Sequence, residues 1–194
     1  SNASRTALMA IGSGDWDDGL LSLFGVPRSI LPEICDSAGQ LGMTEASLFG
    51  APIAITGMAG DQQAALIGQS CLEPGQTKAT FGTGAFVLTQ TGRTLPKSTN
   101  RLLATVAWQL GGERHYALEG SVFVAGSLIQ WLRDDLGLID ASPDTEPLAR
   151  SVEDNGGVYL VPALSGLGAP HWQPSARAAI HGLTFAAKKA HVAR

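Results

Sequence analysis

Apolar side chains between Asp15 and Phe24 (Trp16, Leu20, Leu21, Leu23 and Phe24) recur at helical spacing behind acids that suit a helix N-terminus. A Gly25-Val26-Pro27 stop follows, so the pattern predicts a short helix over 15–24. Residues 28 to 52 show no period and read as loop. Ile53 to Thr56 is a β-leaning apolar run ending in Gly57-Met58-Ala59-Gly60, after which Asp61 opens a helical stretch over 62–69. A strand, a glycine-rich turn and a helix N-terminus thus follow in order.

Beyond residue 76 the pattern changes to β-rich runs at 77–81, 86–91, 102–109 and 115–119, divided by Gly82-Thr83-Gly84, a polar loop and Gly111-Gly112. These predict an antiparallel meander of three or four strands. From Ser121 to Leu136 the apolar positions Phe123, Val124, Leu128, Trp131, Leu132 and Leu136 lie near a 3.6-residue period, which predicts the longest helix. A second helix over 145–154, a strand over 158–161, a proline- and glycine-rich loop over 162–174 and a helix start at 188–194 complete an α/β layered arrangement. The break in style at Cys71-Leu72-Glu73-Pro74-Gly75 marks the expected domain boundary, with one unit over 1–70 and another over 71–194.

Composition narrows the function classes. Only 15% of the 194 residues are charged, 44% are hydrophobic and 24 are glycine; an average chain carries about 25% charged residues. Net charge is −4 and no run of lysines and arginines exists to neutralise a row of phosphates, so no nucleic acid is expected as a partner. Apolar stretches such as Val122–Leu132 are interrupted well below the ~20 residues a bilayer crossing needs. Cys35 and Cys71 cannot build a disulfide framework, which suits a reducing cytoplasm. The opening Ser1-Asn2-Ala3 reads either as the scar of a cleaved tag or as native sequence, and the helix at 188–194 stops without a cap, so the chain is expected to be a piece of a longer protein.

Four segments could carry chemistry. In Gly82-Thr83-Gly84, glycines on both sides of a hydroxyl let backbone amides approach an anion such as phosphate, although an ordinary hairpin turn has the same composition. Gly57-Met58-Ala59-Gly60-Asp61-Gln62-Gln63 places a carboxylate and two amides at a helix start beyond a strand's carboxyl end, the edge at which open α/β sheets bind ligands. Asp61 is then either a helix cap or a functional acid. The helix dipole favours its charged form, and a carboxylate so stabilised is a weak base, which suffices for phosphoryl transfer. Gly126 would let another backbone or a flat ring press against the long helix, with Gln130 one turn on, and helix packing alone also accounts for it. Ser165 to Trp172 is too rich in glycine and aromatic residues for a plain linker and reads as a packed loop or a binding one. Other patterns fail. Asp15, Asp17, Asp18 and Gly19 lack calcium-loop spacing, the histidines are too scattered for zinc, and no Gly-x-Ser-x-Gly elbow occurs.

Together and in this order, the segments are far more specific than any one of them. Ala3-Ser4-Arg5-Thr6, Asp15-Trp16-Asp17-Asp18, Gly60-Asp61-Gln62-Gln63-Ala64-Ala65-Leu66, Phe81-Gly82-Thr83-Gly84-Ala85-Phe86, Glu119-Gly120-Ser121-Val122-Phe123-Val124-Ala125-Gly126, Gln130-Trp131-Leu132-Arg133-Asp134 and Gly166-Leu167-Gly168-Ala169-Pro170 form a nearly continuous match. The chain resembles the central part of the FGGY carbohydrate kinases, and specifically their glycerol-phosphorylating members. The resemblance implies an actin-like ATPase, ribonuclease H-like fold, of which the chain would hold the end of the N-terminal domain (1–70) and the start of the C-terminal one (71–194). It implies ATP and Mg2+ as cofactors, glycerol or a similar small polyol as substrate, and a cytoplasmic, homo-oligomeric parent. By position, Asp61 would be the catalytic base beside the magnesium ion, Gln62 would bind substrate hydroxyls and Phe86 would lie against the substrate carbons. Gly82, Thr83 and Gly84 would form a phosphate loop, with Gly126 and Gln130 on the nucleotide side.

Gly-Asp-Gln-Gln points toward glycerol rather than a pentulose; another polyol or ketose kinase of the family, xylulose-type included, and a non-catalytic nucleotide-binding module are the alternatives. Phe49-Gly50-Ala51-Pro52 lacks the arginine of the loop with which some members bind an inhibitory sugar bisphosphate. The family's first phosphate loop, arginine–glutamate substrate pair and adenine-binding segment have no counterpart in these residues, so the chain alone is expected to be inactive.

Overall fold

Asp17 and Gly25 set the limits of the first helix. The Asp17 carboxylate accepts the Leu20 N–H at 2.9 Å, and Gly25 turns the chain out with φ 65°, a left-handed value that favours glycine. The computed structural model describes all 194 residues. Strands β1 (Met9–Ala10) and β2 (Asp15–Trp16) precede helix α1 (Asp18–Phe24). Next come β3 (Ala38–Met43), α2 (Ala46–Phe49), β4 (Ala54–Gly57) and α3 (Asp61–Gly68). Four longer strands follow, β5 (Thr77–Phe81), β6 (Ala85–Gly92), β7 (Leu103–Leu110) and β8 (Glu113–Val122). The last elements are α4 (Gly126–Asp134), α5 (Thr145–Arg150), β9 (Tyr159–Val161), β10 (Ala179–His181) and α6 (Lys189–Ala193).

Several of these depart from the sequence pattern for identifiable reasons. Helix α1 starts later than its periodicity, because Asp15 and Trp16 pair with Ala10 and Met9 as a small antiparallel ladder. The stretch read as loop holds β3, which shows no alternation because two of its six residues are glycine; its pairing with β4, Gly42 to Ile55 and Met43 to Ala54, makes it a strand. The four long strands do not form a meander. Their order is β5-β6-β8-β7, with β7 and β8 an antiparallel hairpin and β8 inside the sheet. Short turns join β5 to β6 and β7 to β8, whereas the longer connection over 93–102 lets the chain pass β8 and leave β7 at the edge. The helix expected over 121–136 is shorter, because β8 runs to Val122 and Ala125, at φ −131° and ψ −92°, is not helical. The helix expected over 145–154 likewise ends at Arg150, and β10 adds a strand in a stretch to which the sequence pattern assigns no element.

The chain divides into two compact units, residues 1–78 with 87–119 and residues 79–86 with 120–194, so that β5, β6 and β8 each run from one into the other. In the first unit, Met9, Val106 and Tyr116 form a core against Ala3, Ile11, Trp16 and Ile34. Leu66 of α3 and Leu88 of β6 are also fully buried there. Polar groups share this interior. Gln63 donates from Nε2 to Thr105 Oγ1 at 3.3 Å, and Arg5 pairs with Glu119 at 2.9 Å, the glutamate side chain being 1% exposed. The second unit buries Val124, Leu132, Ile139, Val158, Ala163 and Ala190, with β9 and β10 paired through Leu160 and Ile180.

A buried carboxylate that loses its cation retains its full desolvation cost, whereas an exposed pair contributes little. Arg5→Met is therefore expected to lower stability by about 2 kcal/mol. Arg150→Met, which breaks an exposed pair with Glu146 at 2.8 Å, is expected to change it by less than about 0.5 kcal/mol. Denaturant unfolding of the two variants checks the contrast, and equal effects would remove the buried pair from its structural role.

Candidate functional site

Helix α3 begins at Gly60, whose backbone is extended (φ −64°, ψ 151°) and which serves as the N-cap without any side-chain capping bond. A Cβ there would sit 2.4 Å from Gln63 Oε1, so glycine lets the Gln63 side chain fold back under the turn. Asp61 is the first helical residue and not the cap. Its carboxylate is exposed and accepts a hydrogen bond from Gln62 Nε2 at 3.1 Å. The two adjacent glutamines are divided in use. Gln63 is 1% exposed and ties α3 to Thr105 of β7, while Gln62 stays partly open beside Asp61.

Below this pair lies a group that pattern reading passed over. Lys78 of β5 is 4% exposed and donates from Nζ to Gln62 Oε1. Burial pushes its ammonium pKa down, while the charges of Glu119, Asp61 and Cys71 act to raise it. With Arg5 on Glu119, the first unit carries a partly buried set of two cations and two carboxylates that ends at the exposed face of Asp61. The available signal was a lysine and a glutamate at strand positions whose neighbours are apolar or small, Thr77-Lys78-Ala79 and Leu118-Glu119-Gly120.

In the second unit, Gly82-Thr83-Gly84 is a turn closed by the Gly82 N–H on the Gly84 carbonyl at 2.8 Å. The loop is gripped by the start of α4. The Gly82 carbonyl accepts from Gly126 N at 2.8 Å; the Thr83 carbonyl accepts from Ala125 N at 2.9 Å, Ser127 N at 3.2 Å and Ser127 Oγ at 2.9 Å. Trans peptides point N–H and C=O to opposite sides, so the Thr83 and Gly84 amides face away from the α4 terminus. Two glycines permit the approach. A Cβ on Gly126 would lie 2.5 Å from the Gly82 oxygen, and one on Gly84 would lie 2.4 Å from the Val122 oxygen. What presses on Gly126 is therefore a backbone, not a ring. Gly82, Thr83, Gly126 and Gln130 line one cavity of about 350 Å3 together with Ile129, Ser142 and Thr145. Gly84 and the half-buried Phe86 of β6 are not among its walls.

The glycine-rich loop 165–172 is built for packing. The Ala169 N–H donates to the Ser121 carbonyl at 2.9 Å, a Cβ on Gly168 would meet that same oxygen at 2.1 Å, and Trp172 meets Phe123 edge-on at 6.4 Å. It closes over the end of β8. Cys35 and Cys71 are both free thiols. No group of three metal-ligating side chains is present, and no helix is long and apolar enough to cross a membrane.

Profiles of the FGGY family of carbohydrate kinases match nearly the whole chain, the N-terminal domain over residues 1–68 and the C-terminal domain over 77–194. The chain belongs to this family. It is 56% identical over 194 residues to a glycerol kinase of Methylobacterium nodulans and 57% identical to one of Alkalilimnicola ehrlichii, covering 100% of this chain and 39% of each relative. The chain thus spans well under half the length of the curated relatives it matches. The solved Plasmodium falciparum glycerol kinase with ADP superposes with a TM-score of 0.89 at 39% identity, over 99% of this chain and 39% of that one. A xylulose kinase from Lactobacillus acidophilus superposes with a TM-score of 0.81 at 22% identity, over 96% of this chain and 39% of that one, a likeness of fold alone. The fold is the actin-like ATPase, ribonuclease H-like fold of the FGGY kinases.

The grip of α4 on the turn depends on the bare Cα of Gly126. Gly126→Ala is expected to cost about 1–3 kcal/mol, the usual cost of overpacking. Gly68→Ala, at a helical position with open space around the new Cβ, is expected to leave stability unchanged or raise it by about 0.5–1 kcal/mol. Denaturation midpoints of both proteins test this, and an unperturbed Gly126→Ala would show that the turn yields freely.

Proposed function

We propose that the full-length protein transfers the γ-phosphoryl group of ATP to a terminal hydroxyl of glycerol. The observation that carries the reading is the exposed Asp61 carboxylate at the first turn of α3, with the Gln62 amide bonded to it. Its support is the glycerol kinases at 54% to 58% identity along the chain and the ADP named with the Plasmodium structure. In this reading Asp61 accepts the proton of the attacking hydroxyl. Phosphoryl transfer passes through a loose transition state, so the acceptor needs orienting and a place for its proton more than a strong base. Gln62 hydrogen-bonds substrate hydroxyls and Phe86 lies against the carbon chain. The outward amides of Thr83 and Gly84, with the Thr83 hydroxyl, receive nucleotide phosphates; Gly82, Gly126 and Gln130 line the nucleotide side.

Mg2+ characteristically takes one or two carboxylates and keeps waters and substrate phosphate oxygens, so a single exposed carboxylate fits a nucleotide-borne ion and not a dedicated cage. Asp61 would hold the ion, which neutralises charge on the phosphates. We place the boundary between the family's two domains at about residue 70, and the full-length protein in the cytoplasm as a homo-oligomer. The two free thiols support that compartment.

Asp61→Asn in the full-length protein is expected to lower kcat by about 10^3-fold or more, with ATP affinity within about threefold of wild type. Steady-state kinetics and nucleotide titration measure both, and more than about a tenth of wild-type turnover would take Asp61 out of the proton-accepting role. The 194-residue chain alone, spanning 39% of the length of the kinases it matches, is expected to release no ADP in response to glycerol in a coupled assay.

A further inference from the structure

The buried lysine under the Asp61–Gln62 pair has a role that packing does not explain. A carboxamide offers an oxygen that accepts and a nitrogen that donates, and rotation by 180° exchanges them at little intrinsic cost. What fixes one orientation is the partners. An ammonium only donates and a carboxylate only accepts. Gln62 stands between one of each, with Oε1 accepting from Lys78 Nζ and Nε2 donating to Asp61 Oδ2 at 3.1 Å. Both neighbours demand the same orientation, and the reverse one would set the NH2 group against an ammonium and the carbonyl against a carboxylate.

We propose that Lys78 is a positioning residue of the polyol site: it locks the Gln62 amide so that an N–H, and never the carbonyl, is offered to the substrate hydroxyl. The inference rests on the kinase reading above. One Nε2 proton is held by Asp61, and the other is directed at an oxygen of the polyol. Lys78 reaches this post from β5, where it is 4% exposed. Glu119 compensates its charge and is itself held by Arg5 at 2.9 Å. A desolvated ammonium under the attraction of a buried carboxylate has little freedom to leave Gln62, which a solvated lysine would have.

The test uses the full-length protein. Wild-type turnover on a panel of glycerol, xylulose and gluconate first identifies the preferred substrate; this arm alone decides whether the glycerol assignment stands, and the Lys78 variants are assayed on whichever substrate is preferred. Lys78→Met is expected to raise KM for that substrate about tenfold or more while leaving KM for ATP within about twofold. Lys78→Arg, which also only donates, is expected to recover most of the loss. Gln62→Glu keeps an oxygen for Lys78 and removes the donor, so it should raise the same KM even if Lys78→Met folds poorly. In a Gln62→Ala background, Lys78→Met should add nothing, since the residue acts through Gln62. A substrate KM within twofold of wild type in Lys78→Met or Gln62→Glu, equal impairment in Lys78→Arg and Lys78→Met, or additive losses in the double variant would each overturn the proposal.

Discussion

The second unit depends on one backbone contact: the carbonyls of Gly82 and Thr83 seated on the first amides of α4. A helix N-terminus has unsatisfied N–H groups that need acceptors, and here the acceptors come from a turn between two strands. This single arrangement caps α4 without a side chain, since Ala125 can offer none, and holds the turn in one orientation. It also decides what the turn can bind. With the carbonyls spent on the helix, the N–H side of the Thr83 and Gly84 peptides faces the other way. The amide surface that the proposed function assigns to phosphate is thus a consequence of how the helix is capped, and glycine at 126 is the condition for it because a Cβ would enter the space of the Gly82 oxygen.

The Asp61 face is governed by charge. Its components were legible to different degrees. Asp61 and Gln62 stood out because a carboxylate and an amide follow a glycine-rich turn at a helix start. The reading of Asp61 as a cap failed because Gly60 occupies that position, and a glycine cap leaves the following side chain free for other uses. Lys78, Glu119 and Arg5 were not legible as a group. They come from the first residues, β5 and β8, far apart in the chain, and only the fold brings them to one place. Equally hidden was the division between Gln62 and Gln63, identical residues whose fates differ because successive helical positions point about 100° apart and only one faces β7.

The fold was legible where local signals decide it and obscure where distant pairing does. Helix α1 was recognisable from its apolar spacing and its Gly25 stop, and β5 to β8 from their β-branched and aromatic runs. Strand order was not, because alternation says which face is buried and not which neighbour is adjacent. The overlong α4 had another cause. Phe123 and Val124 fit a helical period by chance while belonging to the bend between β8 and the true helix start. Strand β3, with glycines at 39 and 42, carried no period of any kind.

Different reactions make different demands on a carboxylate. Proton abstraction from carbon needs a base raised toward neutrality, and enzymes raise carboxylates by burying them. Asp61 is exposed and lies at the first turn of α3. In the proposed reading it orients an alcohol and takes its proton late. Phosphoryl transfer makes that demand, because the hydroxyl becomes acidic only as its bond to phosphorus forms. The exposure of Asp61 is therefore in keeping with the proposed transfer to an alcohol oxygen, whereas carbanion chemistry would call for a buried carboxylate.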